Sequence, residues 1–341
     1  MKKALNNLKN SSKKSRAVKD SARAFLKRVQ NSLHKNNLLP KEATILVAVS
    51  GGADSMALLH ALHKLQPFYS WSLSVAHINY GLRGKDSLAD FTLVKTTAQK
   101  LNLPFYSLTK KKISPQSSEE KLRDIRYLFF DTLVKEHSFE RVALAHHQDD
   151  QAETILMRLI RGSGLTGLAA MRSKRDYYVR PFLQIPKNEL LQFINQENIP
   201  FRHDTSNDET FYLRNKVRHE LLPLLESYNP GIKKVLATTA SLIQTELLQS
   251  KEGLELLATE SSGADCSFLQ KDWLNLELTK QAFFIRQLFT HKNLQMPSKK
   301  LVDTLVQDFS HISKKGFVKE YSRLRVRLND DRIYIHFNEI D

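Results

Sequence analysis

Cysteine is nearly missing from this chain, since Cys266 is the only one in 341 residues. A single thiol excludes an internal disulfide, a cysteine-based zinc site and an iron–sulfur cluster held by this chain alone. No apolar run approaches the roughly 18 residues that span a bilayer. The lysine-rich N-terminus lacks the apolar core of a secretory signal, although an organelle transit peptide is an alternative. We therefore expect a cytoplasmic protein with no membrane segment.

Acidic residues are also fewer than basic residues. The chain has 36 Asp and Glu against 52 Lys and Arg, which gives a formal net charge of +16 and a pI near 9.7. Such a surplus favours a polyanionic partner, and nucleic acid is the first candidate. The alternative is a basic protein with no such partner.

Stretches with the pattern of a β-strand alternate with stretches with the pattern of a helix from residue 44 to about residue 181. Strands alternating with helices of this length predict a parallel sheet covered on both faces, with a ligand beyond the carboxyl ends of the strands. The predicted strands are 44–49, 72–78, 103–108 and 141–146, and the predicted helices are 55–66, 86–101, 119–135 and 149–161.

The pattern changes after Pro181, and Asn229-Pro230-Gly231 is a strong helix breaker. Near the end, 323–328 and 332–337 predict a hairpin with apolar residues on one face and arginines on the other. We expect an α/β protein with a helical connector and a smaller α+β C-terminal domain. The predicted segments are a basic arm and helix (1–40), a larger α/β domain (41–226), the connector (227–252) and a C-terminal domain (253–341), for which the positive charge favours nucleic acid as partner.

The segment Ser-Gly-Gly-Ala-Asp-Ser follows the first predicted strand and opens the first predicted helix. Consecutive glycines let backbone N–H groups converge on an anion, and the helix N-terminus adds positive potential. No Gly-Lys-Ser/Thr follows, so this is not the usual P-loop. Asp54 would repel phosphate unless a divalent cation lay between them, which predicts Mg²⁺. The residues predicted to bind the phosphates of a nucleotide here, which the resemblance given below assigns to ATP binding, are Ser50, Gly51, Gly52, Ala53, Asp54 and Ser55.

A second acidic segment, HHQDDQAET, covers residues 146–154. Asp149 and Asp150 begin a predicted helix, where the helix dipole favours negative charge, and Glu153 shares their face. The alternative is that Asp149 caps a solvated first turn. Metal binding through His146 or His147 is less favoured, because neither has obvious partner ligands.

SGGADS is the fingerprint of the PP-loop ATP pyrophosphatases, and the chain resembles this family. Six further motifs follow in order and resemble those of the tRNA(Ile)-lysidine synthetases, closely over about residues 40–225 and more loosely beyond. Two departures are Tyr80, where many members have histidine, and the basic arm before residue 20. The motifs are HINYGLRG (77–84), EEKLRDIRY (119–127), HHQDDQAET (146–154), RGSGLTGLAAM (161–171), RPF (180–182) and DTSNDETFYLRNKVR (204–218).

The resemblance implies a reaction and its partners. ATP adenylates the C2 carbonyl oxygen of the wobble cytidine in an isoleucine tRNA with a CAU anticodon. The ε-amine of free L-lysine then displaces AMP and forms lysidine, which pairs with A rather than G.

The resemblance also implies roles for individual residues. Mg²⁺ is expected on Asp54, with Asp149 or Asp150, because both steps bring electron-rich groups together. Arg126 would neutralise phosphate or hold the adenylated intermediate, or else is an ordinary exposed arginine. Asp150 is our candidate for the base that takes the amine proton, with Asp54 as the alternative. His77 would lie near the adenosine, or else is a structural histidine.

Three groups of basic residues are candidates for tRNA contacts. Each group is alternatively a solvated charged surface. The groups are Arg161, Arg172, Lys174 and Arg175 beside the catalytic crevice; Arg214 and Arg218; and Arg323, Arg325 and Arg327 on the hairpin.

Three other activities are weighed against this one. PP-loop tRNA thiolation needs paired cysteines or an iron–sulfur cluster. Amidotransferase relatives need no large basic surface, so the charge of this chain argues against that activity. A non-catalytic ATP-binding RNA-binding protein would not need Asp54 and Ser55, and both are present. The sequence leaves the oligomeric state open between a monomer and a homodimer.

Overall fold

The structure is a computed structural model that describes residues 21–82, 84–110, 119–202, 213–252, 260–262, 265–291, 297–311, 318–321, 324–329 and 331–337. The chain divides into two compact units, residues 1–243 and 244–341. The finer predicted division, with a separate connector over 227–252, stays a prediction. None of the helices in the described ranges is both long enough and apolar enough to cross a bilayer.

The first unit contains a sheet of six strands in the order β3-β2-β1-β4-β6-β5. Every neighbouring pair is parallel except β5 and β6, which are antiparallel. The strands are β1 (Thr44–Ala48), β2 (Ser72–Asn79), β3 (Phe105–Thr109), β4 (Arg141–Ala143), β5 (Lys174–Arg175) and β6 (Tyr178–Val179).

Helices cover this sheet on both faces, and the first strand shows why. Ile45 and Val47 belong to one apolar cluster and Leu46 to another, because successive side chains of a strand point to opposite faces. The helices are α1 (21–35), α2 (Ala53–Tyr69), α3 (Lys85–Lys100), α4 (Glu119–His137), α5 (Gln148–Ile160), α6 (Leu165–Leu168) and α7 (Lys187–Gln196).

Three short helical segments complete the first unit before a long helix. They are α8 (Leu213–Lys216), a π-helix (Val217–Leu221) and α9 (Leu222–Tyr228). Helix α10 (Ile232–Glu252) follows, and the boundary between the two units falls within it.

In its described residues the second unit contains the end of α10, an antiparallel sheet in the order β7-β8-β11-β10-β9 and three further helices. In β10, Leu324, Val326 and Leu328 are buried, while Arg325 and Arg327 are exposed. The elements are β7 (Glu260–Ser262), β8 (Asp265–Leu269), α11 (Gln270–Leu274), α12 (Leu278–His291), α13 (Lys299–His311), β9 (Val318–Tyr321), β10 (Leu324–Asn329) and β11 (Arg332–Phe337).

The predicted fold class is confirmed. The hairpin also forms, although Arg323 lies outside the described residues. The sequence prediction missed the two-residue strands β5 and β6, because so short a stretch carries no readable alternation.

Candidate active site

The Ser50–Gly52 loop links β1 to α2 at the carboxyl edge of the sheet. Gly51 has a φ of +98°, a conformation that side chains rarely adopt. The Ser55 hydroxyl accepts from the Ser50 N–H at 3.1 Å and donates to the Gly52 carbonyl at 3.0 Å. The N-cap is Gly52, so no side chain caps α2. The first N–H groups of α2 are therefore available to an anion.

Arg202 ties this loop to helix α3. Its backbone N–H donates to the Gly51 carbonyl at 3.0 Å. Its guanidinium donates to Asp90 at 2.8 Å and to Asp86 at 2.6 Å. Sequence reasoning missed Arg202, because nothing local links it to a loop about 150 residues earlier.

His77 lies in β2 behind the loop. The side chain is buried, and its Nδ1 lies 2.8 Å from the Val49 carbonyl oxygen. Burial lowers the pKa of His77, so the ring is neutral and Nδ1–H is the donor. The buried Nε2 has no hydrogen-bond partner in the described part of the chain.

Helix α5 begins with a reciprocal cap between His147 and Asp150. The Asp150 N–H donates to His147 Nδ1 at 3.4 Å, and the His147 N–H donates to Asp150 Oδ2 at 3.0 Å. The N-cap is therefore His147 and not Asp149, the residue considered from the sequence. A histidine cap was missed because short polar side chains are the usual caps.

His147 also joins the acidic segment to the loop. Its Nε2 lies 3.4 Å from Asp54 Oδ2 and 3.5 Å from Asp150 Oδ2. Burial alone would lower the pKa of His147, but the carboxylates of Asp150 and Asp54 raise it above its usual value. The other oxygen of Asp54, Oδ1, is buried and has no protein partner among the described residues.

Two arginines neutralise the carboxylates of α5. Arg214 donates to Asp150 and to Glu153, each at 2.9 Å. Arg218 holds both oxygens of Glu153, at 2.6 and 3.0 Å. We call Arg214 and Arg218 the paired arginines. They were predicted as tRNA contacts, and the structure places them in this ion-pair network.

Asp149 and Asp150 are held in different ways. Asp149 accepts from the Lys187 N–H at 3.1 Å and pairs with Lys233 at 2.9 Å. Burial would raise the pKa of each aspartate. The backbone N–H of Lys187 and the ammonium group of Lys233 nevertheless lower the pKa of Asp149. His147 and Arg214 hold the pKa of Asp150 well below its usual value. Within the described ranges no group of three or more His, Cys, Asp or Glu side chains is arranged to hold a metal ion.

A second basic site surrounds Tyr127 on α4. The guanidinium of Arg123 lies 5.3 Å from the ring centroid and that of Arg175 lies 5.4 Å from it. Arg180 donates to the Arg172 carbonyl at 2.9 Å and to His146 Nδ1 at 3.2 Å, and Tyr127 raises its pKa slightly against the effect of burial. We call Arg123, Arg175, Arg180 and Tyr127 the Tyr127 cluster.

The Tyr127 cluster carries little compensating negative charge. Arg180 is only 4% exposed, and no carboxylate of the described residues lies within ion-pair distance of Arg180 or Arg123. Arg175 has only a 3.9 Å contact with exposed Asp176. Burial and the nearby arginines lower the pKa of Arg180, and burial lowers that of His146 to about 3. Sequence reasoning missed Arg123 and Arg180.

The other predicted residues lie around this basic site or in the second unit. Arg126 is exposed, and its Nε lies 3.4 Å from the hydroxyl of Tyr80. Arg161, Arg172 and Lys174 are exposed in the same region of the chain. In the second unit, Arg325 pairs with Glu320, and Arg327 lies 5.5 Å from the ring centroid of Tyr334.

This loop, placed between a parallel strand and an uncapped helix with aspartate in its first turn, defines the class of PP-loop nucleotide-binding domains. A family model described as a PP-loop domain matches residues 20–225. The chain belongs to the tRNA(Ile)-lysidine synthase family within this class, because it is 32% identical to a member of that family over 69% of that member's length.

Three relatives illustrate the match. The tRNA(Ile)-lysidine synthase of Clostridium tetani is 32% identical over 329 residues, which cover 91% of this chain and 69% of that protein. The enzyme of Geobacter sulfurreducens is 39% identical over 72% of this chain and 54% of its own length. That of Bacillus subtilis is 35% identical over 80% and 60%. The chain thus spans about half to two thirds of the length of these relatives.

A solved structure shares the fold. It is the U34-tRNA thiolase of Methanococcus maripaludis with its [4Fe-4S] cluster, which matches with a TM-score of 0.55 over 65% of this chain and 80% of that chain. The sequence identity is 17%, so the likeness concerns the fold alone.

Proposed function

We propose that the protein uses ATP to attach free L-lysine to C2 of the wobble cytidine in an isoleucine tRNA with a CAU anticodon. The cytidine O2 is first adenylated with release of pyrophosphate. The ε-amine of lysine then attacks C2 and AMP leaves, so that the codon read changes from AUG to AUA. The observation that carries this proposal is the free, buried oxygen of Asp54 beside the Ser50–Gly52 loop, in a chain of the lysidine synthase family.

The loop and Asp54 are assigned to the nucleotide. The uncapped first turn of α2 binds the phosphates, because its N–H groups have no side-chain acceptor. Asp54 fits Mg²⁺, since its Oδ1 is a hard oxygen ligand with no protein partner among the described residues. Bound there, Mg²⁺ would offset the negative charge of the pyrophosphate.

Asp149 and Asp150 receive different roles from those predicted. Both were expected near the metal, and Asp150 was the candidate base. Asp149 pairs with Lys233, and Asp150 accepts from Arg214 and from the His147 N–H. A carboxylate stabilised by cations is a weak proton acceptor, so we assign both residues to holding α5.

The Tyr127 cluster is assigned to the tRNA. Among the described residues Arg123 has no carboxylate partner and Arg175 has only a long contact with Asp176, so both exposed guanidinium groups can pair with phosphates of the RNA backbone. Arg180 is buried beneath them. Arg126 lies one helical turn after Arg123 on α4 and extends the same surface. The paired arginines are left out, because Asp150 and Glu153 already neutralise them. A cytoplasmic location agrees with the single, buried Cys266 and stays a prediction.

Thiolation is the nearest other activity. The thiolase that shares the fold carries a [4Fe-4S] cluster. This chain offers Cys266 alone, which is buried in the second unit, so it cannot hold such a cluster by itself.

The test is an incubation with ATP, Mg²⁺, radiolabelled lysine and one of two transcripts, isoleucine tRNA with CAU or elongator methionine tRNA. We expect acid-precipitable label in the isoleucine transcript only, and its loss in Asp54→Asn. If ATP is converted to AMP in the presence of RNA but no lysine is transferred, the enzyme class holds and the lysine assignment is wrong. If ATP is bound but not cleaved, the protein is a non-catalytic ATP-binding protein.

A further inference from the structure

We infer that His147 is a positioning residue that holds Asp54 in place for the magnesium–nucleotide complex. This inference rests on the proposed function, because Asp54 is assigned there to Mg²⁺. It gives a role to a buried side chain that the reaction itself does not require.

The contacts of the ring show which nitrogen lies on the side of Asp54. His147 is 2% exposed. Its Nδ1 accepts the Asp150 N–H at 3.4 Å, so in the neutral ring the proton is on Nε2. That Nε2–H lies between Asp54 Oδ2 at 3.4 Å and Asp150 Oδ2 at 3.5 Å. One ring therefore caps α5 with one nitrogen and contacts Asp54 with the other.

The orientation of the ring is set by the network behind it. Asp150 accepts from the His147 backbone at 3.0 Å and from Arg214 at 2.9 Å. Glu153 in turn holds Arg214 and Arg218. These contacts hold the ring in an orientation in which Nε2 lies beside Asp54.

Asp54 has few other constraints. It lies in the first turn of α2, and its side chain is 31% exposed. His147 is its one polar side-chain contact in the described ranges, while Oδ1 has no partner there. Holding Oδ2 leaves Oδ1 as the ligand and gives it a fixed position. Since β1 and β4 are neighbours, the contact joins the segments that follow two adjacent strands.

Two substitutions test the roles of the two ring nitrogens separately. Asparagine in His147→Asn has an oxygen near the position of Nδ1 and is a good N-cap, but it does not reach Asp54. Glutamine in His147→Gln has an amide N–H near the position of Nε2 but no acceptor near Nδ1. A role in capping is preserved by asparagine, whereas a role in positioning is preserved by glutamine.

We expect His147→Asn to unfold at nearly the wild-type temperature and to lose about 10- to 100-fold in kcat/KM for MgATP. The KM values for lysine and tRNA should not change. General damage to the fold would change these two values as well as kcat/KM for MgATP. His147→Gln should keep kcat/KM for MgATP within about threefold of the wild type and unfold a few degrees lower, since it loses a cap. Wild-type kinetics in His147→Asn would overturn the inference.

A double variant tests whether His147 acts through Asp54. Adding His147→Asn to Asp54→Asn should weaken MgATP binding no further than Asp54→Asn alone, because the contact is already lost. Additive losses would overturn the inference. If the wild-type protein transfers no lysine, the proposed function fails, and calorimetric titration with MgATP still decides this point. Weaker binding in His147→Asn but not in His147→Gln supports the positioning role, and equal binding overturns it.

Discussion

The first unit contains two groups of arginines that look alike in the sequence and differ in their surroundings. The paired arginines, Arg214 and Arg218, donate to Asp150 and Glu153 at 2.6 to 3.0 Å. The arginines of the Tyr127 cluster lie over an aromatic ring or against a neutral histidine. The first group neutralises buried carboxylates, and the second leaves positive charge available to a ligand. A count of basic residues therefore does not locate an RNA surface, whereas their partners do.

The largest expected effect concerns the paired arginines. Glu153→Gln would leave two partly buried guanidinium groups without their shared carboxylate, and we expect it to lower the free energy of unfolding by about 3 kcal/mol. Urea denaturation measures this loss. The matched control is Glu226→Gln, which removes a more exposed partner of Lys233 and should cost less than about 1 kcal/mol. Equal losses in the two variants would contradict the comparison.

A smaller loss is expected for Arg218→Lys. Lysine keeps the charge but cannot hold both oxygens of Glu153, so we expect about 2 kcal/mol less stability. Filter binding at several salt concentrations should show an unchanged salt dependence of tRNA affinity. A lower slope would mean that Arg218 contacts RNA phosphate, as the sequence predicted.

Substitutions in the Tyr127 cluster should have the opposite effect: weaker tRNA binding with little change in stability. The double variant Arg123→Gln, Arg175→Gln should weaken tRNA binding roughly tenfold and lower the salt slope by about 2, at little cost in stability, because both side chains are exposed. Lys100→Gln is the control. It removes an exposed charge at the C-terminal end of α3, at the opposite edge of the sheet. If this control reduces the affinity and the salt slope as much as a cluster variant does, the cluster has no special role.

The smallest expected effect concerns the second unit, where an ion-paired arginine can again be compared with one that lies over an aromatic ring. Arg325 pairs with Glu320, whereas Arg327 lies over Tyr334. We expect Arg327→Ala to weaken tRNA binding about threefold and Arg325→Ala less than twofold. The two variants serve as controls for each other in the same binding assay, and the reverse order would show that ion pairing does not mark the RNA contacts here.

Much of the fold could be read from local pattern. The strand predicted at 44–49 is Thr44–Ala48, and the helix predicted at 149–161 is Gln148–Ile160. The loop between β1 and α2 was likewise visible, because the complete Ser-Gly-Gly-Ala-Asp-Ser segment stands between a clear strand pattern and a clear helix pattern. These features depend on residues close together in the chain.

The contacts of the site were harder to predict. His147 was considered only as a metal ligand, and its contact with Asp54 joins residues more than 90 positions apart. Arg202 reaches the loop across about 150 positions. No periodicity links such residues, because their distance depends on the order of the strands in the sheet.

The sequence by itself determined the class of fold, the phosphate loop and the family, since each depends on short motifs and on the spacing of apolar residues. Only the tertiary structure decided which charges are available. Arg214 and Arg218 lie more than 60 residues from the carboxylates that they neutralise, while the exposed Arg123 has none within ion-pair distance in the described ranges. Coulomb energy depends on distance in space and on burial, and neither is a property of position along the chain.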